Sequence, residues 1–176
     1  MTERARFDEL VFDGLVRARD VFLQRNVGSD IAGVALCTDD ELGTLYCMMV
    51  TVDQIQGSAD PDLLFTPVDW PCDEEMEPFT EANANMRGAL ENLYARFPDE
   101  DTGDEEFLQH VDSCFDGLVL ALKRARAEDL FPKGAFLSVL STDPSEYLLK
   151  LWSGSISTLN EPGTVRLWNT FLRKWS

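Results

Sequence analysis

The amino-acid sequence predicts an α+β protein, with a small mixed or antiparallel sheet of about three to five strands and helices packed against it. Two observations lead to this class. Several long segments carry apolar residues at three- and four-residue steps, which is typical of amphipathic helices. Three short apolar runs have the length of buried strands. With 176 residues, 44% of them hydrophobic, the chain is expected to form one globular domain over residues 1–176.

The first predicted element is a helix over residues 4–26. Its apolar side chains recur with helical spacing from Phe7 to Phe22, while charged side chains lie toward the other side. Asn26 and Gly28 supply a stop signal for this helix.

Two strands are predicted next, over residues 31–38 and 44–52, joined by a five-residue loop that ends in Gly43. Glycine is free to take the positive φ that such a loop can require. If Thr38 faces Thr44, both faces of the strand pair are largely apolar. That pattern favours central strands covered on two sides over an edge hairpin.

A stretch without clear periodicity follows over residues 53–77. The side chains of Phe65, Val68 and Trp70 are expected to attach it to the body of the protein. Loops of this length inside a compact domain are uncommon and are often functional.

Two helices are predicted in the middle of the chain. The first begins at Pro78 and ends before Pro98, and the second begins at a capping box formed by Thr102 and Glu105.

The last third of the chain is predicted to hold one strand and two helices. The strand covers residues 134–141, and a short helix follows it. Asp143 has the position of the cap of this helix and Pro144 that of its first residue. The final helix begins near Glu161.

Negative charge is concentrated in the middle of the chain, which has a net charge of −17. Residues 37–116 hold 21 Asp and Glu against 2 Lys and Arg, whereas residues 117–176 are net positive. Such a field repels nucleic-acid phosphates and anionic lipid, so neither nucleic acid nor a membrane is an expected partner. A basic protein or a bound cation is compatible with it, and the sequence leaves the oligomeric state open.

Several functional classes lack their sequence signals. No segment approaches the roughly 18 apolar residues of a membrane span, and no apolar core of a secretory signal follows the N-terminus. The four cysteines form no C-x-x-C pair and the chain has one histidine, so a zinc site is not expected. We therefore expect a cytoplasmic protein with reduced thiols and no cofactor.

Two acidic runs lie where predicted helices begin, and carboxylates favour that end of a helix dipole. Solvated, helix-starting charge is one interpretation of these runs, and an electronegative docking face for a basic partner is the other. The candidate partner-binding residues are Asp73, Glu74, Glu75, Glu77, Asp99, Glu100, Asp101, Asp104 and Glu105.

A second candidate site lies where two predicted strands end in Thr-Asp. If the strands that end at Thr38 and before Thr142 are parallel neighbours, these residues converge at one sheet edge, where ligands bind in α/β sheets. Asp39 and Asp143 would then lie at this edge, and Asp40 and Glu41 would add carboxylates for Mg²⁺ or Ca²⁺. The alternative is structural, with Asp39 as a turn former and Asp143 as a helix cap.

No catalytic residue is assigned. His110, the one imidazole, falls off the apolar stripe of its predicted helix and is interpreted as a surface residue. The cysteines sit in apolar contexts that are typical of buried thiols, so no nucleophile stands out.

The strand pair from Val34 to Tyr46 resembles the signature of a bacterial family known only as a domain of unknown function. The resemblance extends in order through the segment from Phe65 to Pro71, the acidic helix pair, and the strand ending Ser141-Thr142-Asp143. A Leu159-Asn160-Glu161-Pro162 piece near the end also matches. It implies a small intracellular α+β protein, and some members are similar to immunity and accessory proteins encoded near bacterial toxins.

The leading functional hypothesis is a non-enzymatic protein-binding module, of the immunity type, that captures a cationic protein with the acidic surface of residues 39–116. The alternative is a divalent-metal-dependent enzyme with its carboxylates at the strand ends.

Overall fold

The computed structural model describes residues 3–72, 74–97, 104–142 and 145–175, and within them it confirms the α+β class. The helices are α1 (Glu3–Arg25), α2 (Val52–Gly57), α3 (Thr80–Arg96), α4 (Asp104–Ala127), α5 (Glu146–Leu159) and α6 (Pro162–Trp175). The strands are β1 (Ile31–Thr38), β2 (Leu45–Thr51) and β3 (Phe136–Ser141).

The three strands form a mixed sheet in the order β2-β1-β3. β1 pairs with β2 antiparallel and with β3 parallel. The prediction of two central strands is right for β1 and wrong for β2, which lies at the edge of the sheet. Part of that edge is covered, because the backbone of Cys47 exchanges two hydrogen bonds with the backbone of Glu75, at 2.9 and 3.1 Å.

The predicted register of the hairpin is wrong by one residue, since Thr38 pairs with Leu45 and not with Thr44. The loop is one residue longer than expected, and within it the carboxylate of Asp39 accepts a hydrogen bond from the Gly43 N–H at 2.7 Å. The residue with positive φ is Leu42 (φ 55°) and not Gly43. Its side chain is fully buried, and this packing offsets the backbone strain.

Both faces of the sheet are covered, as predicted. Helices α1, α3 and α4 pack on one face, where residues such as Val34, Leu36 and Met49 point. The long segment after β2 and helix α6 cover the other face, while α5 lies along β3 and contributes buried side chains to both faces. The buried side chains on this second face include Phe65, Trp70, Ile156, Trp168 and Phe171. Alternate residues of β1 therefore serve two separate hydrophobic clusters.

The segment after β2 is built from α2 and three short 3₁₀ turns, at Leu63–Phe65, Pro67–Asp69 and Glu77–Phe79. Trp70 anchors it, with its indole N–H donating to the Leu63 carbonyl at 2.8 Å. Gly33 makes room for this ring, because a Cβ there would lie 2.7 Å from the Trp70 side chain. The expectation that Val68 also anchors the segment is wrong, since Val68 is 56% exposed.

Helix α5 begins differently from the prediction. Its N-cap is Ser145, whose hydroxyl accepts a hydrogen bond from the Leu148 N–H at 3.3 Å, and not Asp143. A side-chain oxygen directly before the first helical turn satisfies the N–H groups that helix geometry leaves free. Among the described residues, no helix combines the length and the apolar composition needed to cross a bilayer.

Candidate functional site

The carboxyl ends of β1 and β3 meet at one edge of the sheet, as a parallel pair requires. Thr38 is in register with Ser141, and the Thr142 N–H donates to the Thr38 carbonyl at 2.9 Å. The structure thus brings together Thr38 and Thr142, two of the predicted strand-end residues. Asp143 lies outside the described residues.

Two hydroxyl groups at this edge are buried without a partner. Thr38 is 0% exposed and Ser141 is 3% exposed. Among the described residues, neither Thr38 Oγ1 nor Ser141 Oγ finds a hydrogen-bond partner. Unsatisfied buried polar atoms of this kind are uncommon and destabilise the folded state.

The acidic side chains near this edge do not assemble a metal site in the described part of the chain. The half-buried Asp39 already accepts the Gly43 N–H, and Asp40 is exposed. Over the described residues, no group of three or more His, Cys, Asp or Glu side chains is placed to hold a metal ion.

The first acidic run lies along the outer edge of β2. Glu74 and Glu77 are exposed, but Glu75 forms an ion pair with Arg25 at the end of α1. Glu75 is therefore neutralised within the protein, and its backbone extends the sheet. The fourth member of this run, Asp73, lies outside the described residues.

The second acidic run opens α4. Asp104 and Glu105 are exposed in its first turn, where carboxylates interact favourably with the helix dipole. Asp99, Glu100 and Asp101 lie outside the described residues.

Two tyrosines that the sequence analysis did not assign to a site connect further carboxylates. Burial raises the pKa of Tyr94 on α3. The nearby carboxylates of Glu41 and Asp40 raise it further, and Glu41 accepts a hydrogen bond from the phenol. The Tyr147 hydroxyl donates to Asp112 of α4, and this hydrogen bond is the main reason that the pKa of Tyr147 is raised. The acidic loop after β1 therefore lies against α3.

Exposed carboxylates dominate this part of the surface. We call the following exposed residues the acidic surface: Asp40, Glu41, Glu74, Glu77, Glu81, Glu91, Asp104, Glu105, Asp112 and Asp116. Within the described stretches 74–97 and 104–116, the cationic side chains are Arg87 and Arg96. The acidic surface therefore keeps most of its negative charge.

His110 is half-buried rather than a plain surface residue. Its ring nitrogens lie 3.7 and 3.8 Å from the Cys114 Sγ, one helical turn away on α4. Burial lowers the pKa of His110 and raises the pKa of Cys114 to about 11. Both groups are neutral at neutral pH, so this pair lacks the thiolate of a catalytic cysteine. The spacing of four residues is the sequence signal that could have revealed the contact.

A groove of about 540 Å³ opens beside this pair, between α3 and α4. Its lining combines one aromatic ring, small side chains and polar groups: Phe7, Ala84, Asn85, Gly88, Ala89, Asn92, His110, Ser113 and Cys114. None of the lining residues carries a formal charge while the imidazole is neutral.

Comparison with known proteins gave one match. A family model described as "Domain of unknown function (DUF4303)" matches residues 16–161. No curated protein and no solved structure matches the chain. The matched range begins within α1 and ends directly before α6, so it contains the whole sheet.

Proposed function

The chain belongs to the DUF4303 family of unknown function, and we propose that it is a non-enzymatic binding protein that captures a cationic protein with its acidic surface. The resemblance to an uncharacterised domain family is confirmed at that level. As part of the proposal, the partner is a toxin, and the protein masks the basic surface of this toxin by stoichiometric binding. The protein would then act as an immunity protein in the bacterial cytoplasm.

One observation carries this proposal: α3 and the first half of α4 expose several carboxylates, while the cationic side chains in the described stretches 74–97 and 104–116 are Arg87 and Arg96. Charge of this density steers a basic partner during diffusion and makes its association fast and salt-sensitive. Helix-starting charge explains Asp104 and Glu105. It does not explain Glu91 or Asp112, which are exposed in the interior of their helices.

Glu75 falls outside the proposed contact surface. Its ion pair with Arg25 and its backbone pairing with Cys47 give it a structural role. The docking region is therefore narrower than the one the sequence suggested, and it is centred on α3 and α4.

Affinity capture from the source cell at about 50 mM and about 500 mM salt tests the proposal, because these concentrations differ strongly in screening. One variant replaces Glu81, Glu91, Asp104 and Glu105 with lysine. A matched control makes the same net change of charge elsewhere, at Glu9, Asp20, Asp53 and Asp69, which are also exposed.

We expect one basic protein to be captured by the wild type and the control at low salt, and lost at high salt. The α3–α4 variant should lose it under both conditions. Capture that is indifferent to salt, or equal losses in the two variants, would contradict the proposal.

The alternative of a divalent-metal-dependent enzyme has less support. It depends on Asp39, whose carboxylate is engaged in the loop, and on Asp143. Melting curves with Mg²⁺, Mn²⁺ and Ca²⁺ test it, since a bound ion raises the melting temperature. A rise in the wild type that Asp39→Asn abolishes would favour the enzyme over the binding protein.

A further inference from the structure

The groove between α3 and α4 exists because the facing positions of α3 carry small residues. Ala84, Gly88 and Ala89 leave the space open, and a Cβ added at Gly88 would meet no atom within 4 Å. The ring of Phe7, which is 6% exposed, lines the same space from α1. The groove therefore offers an aromatic ring and a space of about 540 Å³.

The polar groups of the groove are suited to accept hydrogen bonds. Asn85, Asn92 and Ser113 line it with exposed side chains, and in the part of the chain that the structure describes they bond to no other residue. Burial lowers the pKa of His110, so its imidazole is neutral and one ring nitrogen is an acceptor. The groove can thus receive several N–H donors at once.

Negative charge stands next to the groove. Glu81 lines an adjoining depression that shares Ala84 and Asn85 with it, and among the residues that the structure describes no lysine or arginine lines either space. A cationic group would enter with an attractive field from the acidic surface and without repulsion from the walls.

We infer that this groove receives an arginine side chain of the cationic partner, an inference that rests on the proposed function and names the anchor of that contact. A guanidinium group is planar and presents five donors, which suits amide, hydroxyl and imidazole acceptors, and it packs on aromatic rings such as Phe7. A lysine ammonium is a compact, strongly hydrated charge and gains less from the same walls. Buried arginine anchors are common centres of binding energy at interfaces.

The probes are three synthetic peptides of glycine alternating with arginine, lysine or citrulline, the neutral isostere of arginine. Binding is measured by titration at low salt with the wild type, Gly88→Leu, and Gly154→Leu as the control, since Gly154 is an exposed helix glycine outside the groove. Leucine fills the groove without changing the charge, and Ala89→Leu repeats the test from a second position. Far-UV circular dichroism and melting establish that each variant folds.

We expect the arginine peptide to bind the wild type about tenfold more tightly than the lysine peptide, because of the extra donors and the ring contact. Gly88→Leu and Ala89→Leu should each lower the affinity for the arginine peptide to that for the lysine peptide, while the Gly154→Leu control retains the preference for arginine. The NMR chemical shifts of the Asn85 and Asn92 side-chain amides should change when the arginine peptide is added, and not when the lysine or citrulline peptide is added.

Equal affinity of the wild type for the arginine and lysine peptides would overturn the inference. A preference for arginine that survives in both Gly88→Leu and Ala89→Leu would overturn it as well. In either case, the proposed function would stand if the α3–α4 charge variant no longer binds the arginine and lysine peptides. If that variant binds the basic peptides like the wild type, the proposed function fails as well. If the citrulline peptide binds the wild type as tightly as the arginine peptide does, both the arginine anchor and the proposed capture of a cationic partner are contradicted.

Discussion

The side-chain amide of Asn83 on α3 holds the backbone of Leu45 at both of its polar groups. The Leu45 N–H donates to Asn83 Oδ1 at 2.5 Å, and Asn83 Nδ2 donates to the Leu45 carbonyl at 2.9 Å. Asn160 does the same for Leu137 on the opposite edge of the sheet, at 2.9 and 2.7 Å. A three-stranded sheet has two edges with unpaired backbone groups, and here an asparagine side chain forms hydrogen bonds with the backbone of one residue on each edge.

The Asn83 contact also fixes the position of α3. Because α3 is tied to the first residue of β2, its exposed carboxylates and the wall of the groove are held at a defined place beside the sheet. The same helix contacts the loop after β1 through Tyr94 and Glu41. One buried side chain therefore contributes both to the protection of the β2 edge and to the placement of the proposed docking region.

Asn83→Ala should reduce the free energy of unfolding by about 2–4 kcal/mol, because it leaves a buried donor and a buried acceptor of Leu45 unpaired. Asn85→Ala is the control, since Asn85 lies on the same helix with an exposed side chain. Its effect should stay within about 0.5 kcal/mol. Urea denaturation measures both, and equal stabilities of the two variants would show that the Asn83 contact contributes little.

Two glycines in helices should respond to alanine in opposite directions. Gly154→Ala on α5 should stabilise the protein by about 0.5–1 kcal/mol, because the new Cβ meets no atom within 4 Å and alanine favours the helix. Gly14→Ala on α1 should destabilise it by about 1–3 kcal/mol through overpacking. There the Cβ would lie 2.5 Å from the ring of the buried Phe79. Thermal melting distinguishes the two signs, and stabilisation by both variants would refute the packing argument.

Thr38→Val tests whether the unpaired hydroxyl at the strand edge has a role. Without a ligand, valine removes an unsatisfied polar atom from a buried strand position and should be neutral or stabilise by up to about 1 kcal/mol. Thr51→Val is the matched control: Thr51 is 2% exposed and its hydroxyl accepts the Gln54 N–H of α2. Its loss should destabilise by about 1 kcal/mol. A marked loss of stability in Thr38→Val, measured by urea denaturation, would contradict the view that the hydroxyl is unsatisfied in the folded protein.

His110 should make stability depend on pH. Burial lowers its pKa from 6.5, so the unfolded chain binds a proton more readily than the folded one. The resulting stabilisation is fully present above pH 6.5 and is lost as the pH falls through the lowered pKa of the folded state. Urea midpoints between about pH 5 and pH 8 should decline on acidification less in His110→Gln than in the wild type. Parallel profiles would show that the imidazole is not desolvated.

Local spacing was enough to find most of the elements. The periodicity of α1 from Phe7 to Phe22 and the apolar runs of β1 and β3 depend on neighbours in the chain, and their bounds agree with the predictions to within about two residues. Charge is a property of composition, so the concentration of carboxylates in residues 37–116 could be read directly. The strand ends at Thr38 and Thr142 could be placed together only on the condition that the strands are parallel neighbours.

The amino-acid sequence alone determined most of the helices and the three strands, together with the sign of the charge, because these follow from spacing and composition. Tertiary structure decided the register of Thr38 on Leu45, the neutralisation of Glu75 by Arg25, and the groove beside His110. Each of these joins elements whose approach depends on hydrogen bonds and packing across the fold. No periodicity within a single segment carries that information.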